Sequence, residues 1–379
     1  MISSPLRALC LGTAGIIAGL LLGSALAQLP LLKPSPTGPV VIVPDQDRPL
    51  RSVAFHYRPA FHQQSIETIS DFLSGLSSDV HVHVVVERLA HFEELHTHLK
   101  NTDSSFPASL TPVVTGFSIT PWAKDRFGTM ENQHRQPILA IPPLGSTAAG
   151  ARANDAKVPA ALTRAIDGAT LHTLPFHFEG GDLLADANYV YLAANCLARN
   201  QPYNTTGRES LLASMSKALG KPIIVLGPSS SHVPDHHIGM YLTPLGNNTV
   251  AVGDPDLGKR LYLQLPENQR TIDLELHDAP YQPFRNVIKE LSFHNLRIIH
   301  IPLLLTTTPR VYATYNNAIL EQRHGSKRIF MPVYDIPQLD TMAATIFEQE
   351  GWKVTPVRVS KIFSHTGSLR CLIGIISRG

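Results

Sequence analysis

The sequence predicts an α/β fold in a single large domain. Strand and helix signals alternate from about residue 51 to the C-terminus, and no long low-complexity stretch or linker divides that span. Its length is also compatible with one compact fold around one centre. In chain order, residues 80–86 read as an apolar strand with His81 and His83 interleaved, and residues 89–99 as a helix by their apolar spacing. Residues 112–119 and 137–141 read as strands, and 159–166 as a helix. Strands at 171–176 and 189–194 flank a Gly-Gly turn, and a helix at 210–219 leads to a strand at 222–226. Residues 240–245 and 249–252 form a hairpin through Gly246-Asn247-Asn248. A helix near 284–293, strands at 296–301 and 328–331, and a helix at 336–349 come next. Strands at 353–357 and 372–376 end the chain. This alternation sets the class and leaves strand order open.

The N-terminus stands apart. Arg7 is the one charge before an apolar run over residues 8–22, and Ala25-Leu26-Ala27 supplies a small-x-small cleavage site. Residues 1–27 therefore read as a secretory signal peptide. The apolar run is shorter than the roughly 20 residues that span a bilayer, which favours cleavage over an uncleaved membrane anchor. Residues 28–49 are Pro-rich and read as a surface tether, and residues 50–379 as the folded domain, exported to a periplasmic or extracellular space. No second segment is long and apolar enough to span a membrane. A net charge of +2 gives no footprint for nucleic acid or an anionic membrane. Cleavage leaves Cys196 and Cys371, too few for a disulfide scaffold, and a bridge between them would silence Cys371.

Four segments set reactive groups beside glycine or a strand end. They are Trp122-Ala123-Lys124-Asp125-Arg126-Phe127-Gly128, Glu179-Gly180-Gly181-Asp182, Pro234-Asp235-His236-His237-Ile238-Gly239-Met240 and His365-Thr366-Gly367-Ser368-Leu369-Arg370-Cys371. Taken singly, each has an ordinary structural explanation. A Gly-Gly pair is often a tight turn using positive φ, and a lone Cys near an apolar strand is usually a small buried hydrophobe.

Their order along the chain is distinctive. W-x-[KR]-D-x-x-G, then EGGD, then a His leading into a strand, then a Gly-containing turn ending in a C-terminal Cys resembles the pentein (guanidine-modifying) superfamily. It is most similar to the agmatine deiminase and bacterial-type peptidylarginine deiminase family. Thr314-Tyr315-Asn316-Asn317 resembles the family's Y-x-N segment. Residues 333–340, with the following helix and Gly351-Trp352-Lys353-Val354, resemble its last module. The resemblance runs from about residue 50 to the C-terminus and implies a five-fold pseudosymmetric α/β propeller with a central site. It implies Cys371 as nucleophile, His237 as general acid/base, Asp125 as the carboxylate gripping the substrate guanidinium, and Glu179 as the acidic residue orienting His237. Asn317 would lie near the nucleophile. Trp122 is read either as a core residue or as one that flanks the guanidinium by cation–π contact.

Those residue types suit that chemistry. A guanidinium is a planar cation with fixed donors, so a carboxylate can pair with it bidentately. Its carbon is a poor electrophile, which calls for a thiolate, and a neighbouring imidazolium or cationic substrate lowers a thiol's pKa. One imidazole can protonate the leaving ammonia and then deprotonate water. No metal or organic cofactor is implied. The expected partner is a small guanidine or an arginine-containing peptide or protein.

The pattern departs from the family at one position. Family members carry H-x-D at the third segment, where this chain reads His237-Ile238-Gly239, so a second carboxylate on the guanidinium is absent. That departure motivates a second reading, a catalytically impaired guanidinium- or peptide-binding protein on the same fold. A third is a metallohydrolase, suggested by 18 histidines that cluster at His81 with His83, His91 with His96 and His98, and His232 with His236 and His237. No H-E-x-x-H and no G-x-S-x-G occurs.

Overall fold

Short β-branched and apolar runs build five small sheets in the computed structural model, which describes residues 38–101, 106, 108–143 and 151–379. Each sheet repeats one plan. A first strand pairs antiparallel with a second, and a helical crossover carries the chain to a third strand parallel to the second. In chain order the first strands of four modules are Gly128–Asn132, Leu184–Ala185, Leu242–Gly246 and Ile319–Arg323. Their antiparallel partners are Pro137–Ile141, Val190–Ala193, Thr249–Asp254 and Ser326–Val333. Thr170–Thr173, Ile223–Leu226, Arg297–Leu305 and Trp352–Arg358 then pair in parallel. In the fifth module the C-terminal strand Ile373–Arg378 acts as first strand, antiparallel to Leu50–His56, which runs parallel to His81–Val86. The end of the chain thus completes the module that its beginning opened. This five-fold repetition of an α/β unit is the one implied by the pentein resemblance.

The crossover helices follow from apolar periodicity. Pro337–Gln349 starts with Pro at its first turn and buries Leu339, Ala343 and Phe347, four residues apart each time. Gln282–Leu291 buries Phe284, Val287 and Leu291. Helix Pro255–Leu263 lies so close to its strand that a Cβ on Gly258 would be 2.1 Å from the Leu303 carbonyl oxygen. Most expected elements are present within a few residues of the anticipated bounds. The strand expected at 112–119 is Ser109–Val114 instead, because the chain turns at Gly116 with φ of 75°. Several elements have no counterpart in the sequence reading, among them strands Leu50–His56, Gly128–Asn132 and Ile319–Arg323 and helices Pro255–Leu263 and His62–Gly75. That helix buries Ile69, Phe72 and Leu73, and Phe72 meets Phe330 at a ring separation of 5.0 Å.

The signal segment 1–27 lies outside the described residues. Of the expected tether, residues 38–49 are described, and they correct that expectation. Val40–Ile42 forms an edge strand antiparallel to Gly128–Asn132. Asp45 is buried, accepting from Arg370 Nη2 at 2.5 Å and from the Ala185 amide at 2.9 Å. Two buried arginines, Arg370 and Arg378, need acceptors from this segment. That need ties the segment into the fold despite its prolines. Among the described residues no helix is long and apolar enough to cross a membrane.

The repetition positions the functional side chains. The four reactive segments and the Asn316-Asn317 pair each form the lead-in to the first strand of one module: Ala123–Arg126, Gly180–Asp182, Ile238–Met240, Asn316-Asn317 and Leu369–Leu372. Neighbouring lead-ins touch all the way round. Gly180 packs on the Lys124 carbonyl and Gly181 on His237, while Asn317 Nδ2 donates to the Gly239 carbonyl at 3.1 Å. The Arg370 amide donates to the Asn317 carbonyl at 3.2 Å, and Gly367 and Gly374 pack on Trp122 and Phe127. The ring closes.

Candidate active site

The ring of lead-ins opens into a cleft of about 350 Å³. Five of the six expected site residues, Trp122, Asp125, Glu179, His237 and Cys371, line it. Asn317 sits behind Cys371, its Oδ1 3.3 Å from the Cys371 amide and 3.6 Å from Sγ. Three residues that sequence reasoning did not single out share the cleft: Arg152, Asn195 and Arg199.

The Glu179-Gly180-Gly181-Asp182 turn shows how local sequence builds the site. The Glu179 amide donates to Asp182 Oδ2 at 2.8 Å, closing the turn. Its glycines do not take the positive φ that a Gly-Gly turn suggests. They are required by close approach: a Cβ on Gly180 would lie 2.0 Å from the Lys124 carbonyl oxygen, and one on Gly181 2.5 Å from His237 Nδ1. The glycines therefore let Glu179 and His237 meet across the ring.

Carboxylates and cations alternate in the cleft. His237 Nε2 donates to Glu179 Oε2 at 2.8 Å, and His237 Nδ1 lies 3.7 Å from Asp125 Oδ1. Arg152 bridges two carboxylates, with Nη1 3.0 Å from Asp125 Oδ2 and Nη2 2.8 Å from Glu179 Oε1. Arg199 reaches Glu179 Oε2 and Asp182 Oδ1, both at 3.2 Å. Burial alone would lower the pKa of His237. The charge of Asp125 and the hydrogen bond to Glu179 outweigh burial and hold it at about 9. Burial likewise works to raise Glu179, but His237, Arg152 and Arg199 hold it well below the usual carboxylate range. Cys371 moves the other way. Burial and then Asp125 push its thiol up to about 12, against the opposing hydrogen bonds with Ser368 and Asn317 and the charge of Arg370. Neighbouring His236 is pushed down to about 4 by burial and by His237. At neutral pH the resting cleft thus holds a neutral thiol, an imidazolium and a neutral second histidine.

Trp122 packs edge-on to Phe61 with ring centroids 6.0 Å apart and rides directly over Gly367. Beside Gly239, where the family pattern has Asp, a Cβ would find its nearest neighbours at 3.7 Å, Arg370 Cδ and Leu184 Cδ2. Among the described residues no group of three or more His, Cys, Asp or Glu is placed to hold a metal ion, and Cys196 and Cys371 are both free. Members of the expected histidine clusters take other partners: His81 bonds Ser109, His98 meets His62 edge-on, and His232 bonds Ser229. The signal for Arg152 and Arg199 was absent from the sequence, since neither adjoins a motif and both act from crossover segments that folding brings to the cleft.

Residues 57–373 match the family described as Porphyromonas-type peptidyl-arginine deiminase. No curated protein matches the chain. Among solved structures, the agmatine deiminase of C. jejuni is similar at 16% identity, with a TM-score of 0.68 over 92% of this chain and 99% of that one. The agmatine deiminase of Enterococcus faecalis is similar at 13% identity, with a TM-score of 0.65 over 89% and 96%. At these identities the likeness is one of fold.

Proposed function

The chain belongs to the Porphyromonas-type peptidyl-arginine deiminase family, hydrolases of C–N bonds in linear amidines, and on that premise we propose that it converts a guanidinium into a ureido group through Cys371. The observation that carries this reading is the convergence of Asp125, Glu179, His237 and Cys371 on one cleft. Asp125 grips the substrate guanidinium, Glu179 orients His237, and Trp122 flanks the entering side chain. Arg152 already places a planar cation across Asp125 and Glu179. A substrate guanidinium offers the same fork of donors and takes its place.

Substrate binding then changes the charge around the thiol. After burial, Asp125 is the strongest influence raising Cys371, and a bound guanidinium neutralises it. The thiol sheds its proton to solvent, and the thiolate forms a bond to the guanidinium carbon. His237, protonated below about pH 9, gives its proton to the leaving nitrogen. The C–N bond breaks, ammonia departs, and an amidino-thioester remains on Cys371. Neutral His237 next takes a proton from water as the water oxygen bonds to the carbon. The C–S bond breaks with its electron pair returning to sulfur, the remaining hydroxyl proton restores the Cys371 thiol, and the neutral ureido product leaves. The ammonia gains the proton that the thiol shed, so the balance is guanidinium plus water to urea plus ammonium. These steps call for no metal or organic cofactor.

The proposed substrates are a small guanidine and an arginine-containing peptide. Export is part of the proposal, supported by the charge, apolar run and Ala25-Leu26-Ala27 of residues 1–27. An N-terminus at Gln28 in protein recovered outside the cytoplasm supports it, and a retained Met1 counts against cleavage. For activity, the chain from Gln28 onward is incubated with agmatine, free arginine, a methylated arginine and an arginine peptide, with Cys371→Ala as control. Ammonia and ureido product from any of the four, lost in the variant, support thiol-dependent deimination. No product from folded, reduced protein favours the binding-protein reading instead.

A further inference from the structure

Resting on the deiminase reading, we propose that the space beside Gly239 seats the water that releases the product from Cys371, with Arg370 Nε–H as its donor. A void of about 10 Å³ lies under the cleft, bounded by Asp125, His237, Gly239, Asn317, Arg370 and Cys371. That is about the volume one water molecule needs, and such a site also needs two to four polar partners. This one adjoins both groups that the second half of the reaction uses: the sulfur that carries the amidino-thioester and the imidazole that takes a proton from water.

Arg370 sets the polarity of the void. It precedes the nucleophile and is 4% exposed. Its Nη2 is fixed on Asp45 at 2.5 Å, and Asp45 is fixed in turn by the Ala185 amide. Its Nε is buried without a hydrogen-bond partner among the described residues and would be 3.8 Å from a Cβ on Gly239. A buried, unpartnered cationic N–H is costly and calls for an acceptor. The substrate guanidinium cannot supply one, because every nitrogen it presents is a donor. Water can, accepting from Arg370 while giving its proton to His237. Its oxygen becomes the ureido oxygen, an acceptor for the same N–H in the product. The H-x-D pattern would put a carboxylate here to hold substrate nitrogen; Gly239 with Arg370 inverts that wall from acceptor to donor.

Gly239→Ala tests the assignment, since its methyl group enters the void without meeting any atom closer than 3.7 Å. Wild type and variant are mixed with agmatine or an arginine peptide and quenched at intervals, with ammonia, ureido product and the intact protein mass followed. In the variant, one equivalent of ammonia should appear at close to the wild-type rate. Ureido product should then form at least about ten-fold more slowly, while an amidino adduct accumulates on Cys371. Arg370→Lys, which keeps the charge and removes Nε–H, should also accumulate the adduct. Equal slowing of ammonia and ureido product with no adduct in either variant overturns the water assignment while leaving the deiminase reading intact. No ammonia, amine or ureido product from the wild type with any of agmatine, free arginine, a methylated arginine and an arginine peptide overturns both.

Discussion

The lead-in turns of the second and third modules both place glycine in the ring around His237, yet their surroundings are opposite. On Gly180 a Cβ would lie 2.0 Å and 2.4 Å from the carbonyl oxygens of Lys124 and Phe127, backbone atoms that cannot yield. On Gly239 the nearest atoms would be at 3.7 Å, in ordinary van der Waals contact. Packing demands the first glycine and is indifferent to the second. Gly180 lets one module close on the next, so it belongs to the architecture. Gly239 leaves a space open beside the nucleophile, so its explanation lies in chemistry. The same residue type, on neighbouring turns of one ring, is a matter of fold at one position and of reaction at the other.

The sharpest test of that contrast is Gly180→Ala. The overlap with two carbonyl oxygens should force the lead-in turns apart and cost about 3 kcal/mol or more of stability. Urea denaturation reads it directly, and a loss below about 1 kcal/mol would remove packing as the reason for that glycine. Asp125→Asn should be next in size and should act in two directions. Loss of the charge-assisted grip should lower kcat/KM for any guanidine by about 100-fold. Yet because Asp125 helps to push the Cys371 thiol up, its removal should lower the thiol pKa. Alkylation of the resting protein by iodoacetamide near pH 8 should then be several-fold faster than in wild type. Slower alkylation would mean that the carboxylate does not govern the thiol. Arg152→Gln should have a smaller effect of opposite sign on binding. Arg152 competes for Asp125 and Glu179 with every cation equally, so its removal should lower KM by about five-fold for all guanidines tested, with the change in KM rather than kcat. A raised KM would instead give Arg152 a contact with the substrate itself.

The sequence made some of this legible and hid the rest for physical reasons. Strands and helices with their own apolar period, such as Pro137–Ile141 and Pro337–Gln349, announced themselves locally. His62–Gly75 mixes polar residues into its apolar stripe and escaped notice. Residues 38–49 read as a tether because proline and short apolar residues carry no helix signal, while the reason they fold is distant: Arg370 and Arg378 need acceptors there. The site residues were legible because they lie in motifs at lead-in turns, one turn per module. Arg152 and Arg199 were not, because their role depends on crossover segments reaching the cleft in three dimensions. Even the Gly-Gly pair was visible for the wrong cause, being needed for close contact rather than for positive φ.

The smallest expected effect closes the contrast from the other side. Gly239→Ala adds a methyl where there is room, and Gly239 has no left-handed backbone for alanine to strain. Alanine also loses less conformational freedom on folding than glycine, which works in its favour. Stability should therefore stay within about 0.5 kcal/mol of wild type in the same urea titration that unfolds Gly180→Ala early. That near-silence matters to the reaction, because it lets any accumulation of a Cys371 adduct in this variant be read as a loss of water access rather than of fold. A destabilisation above about 2 kcal/mol would place Gly239 with Gly180 as an architectural glycine, and the distinction between the two turns would be lost.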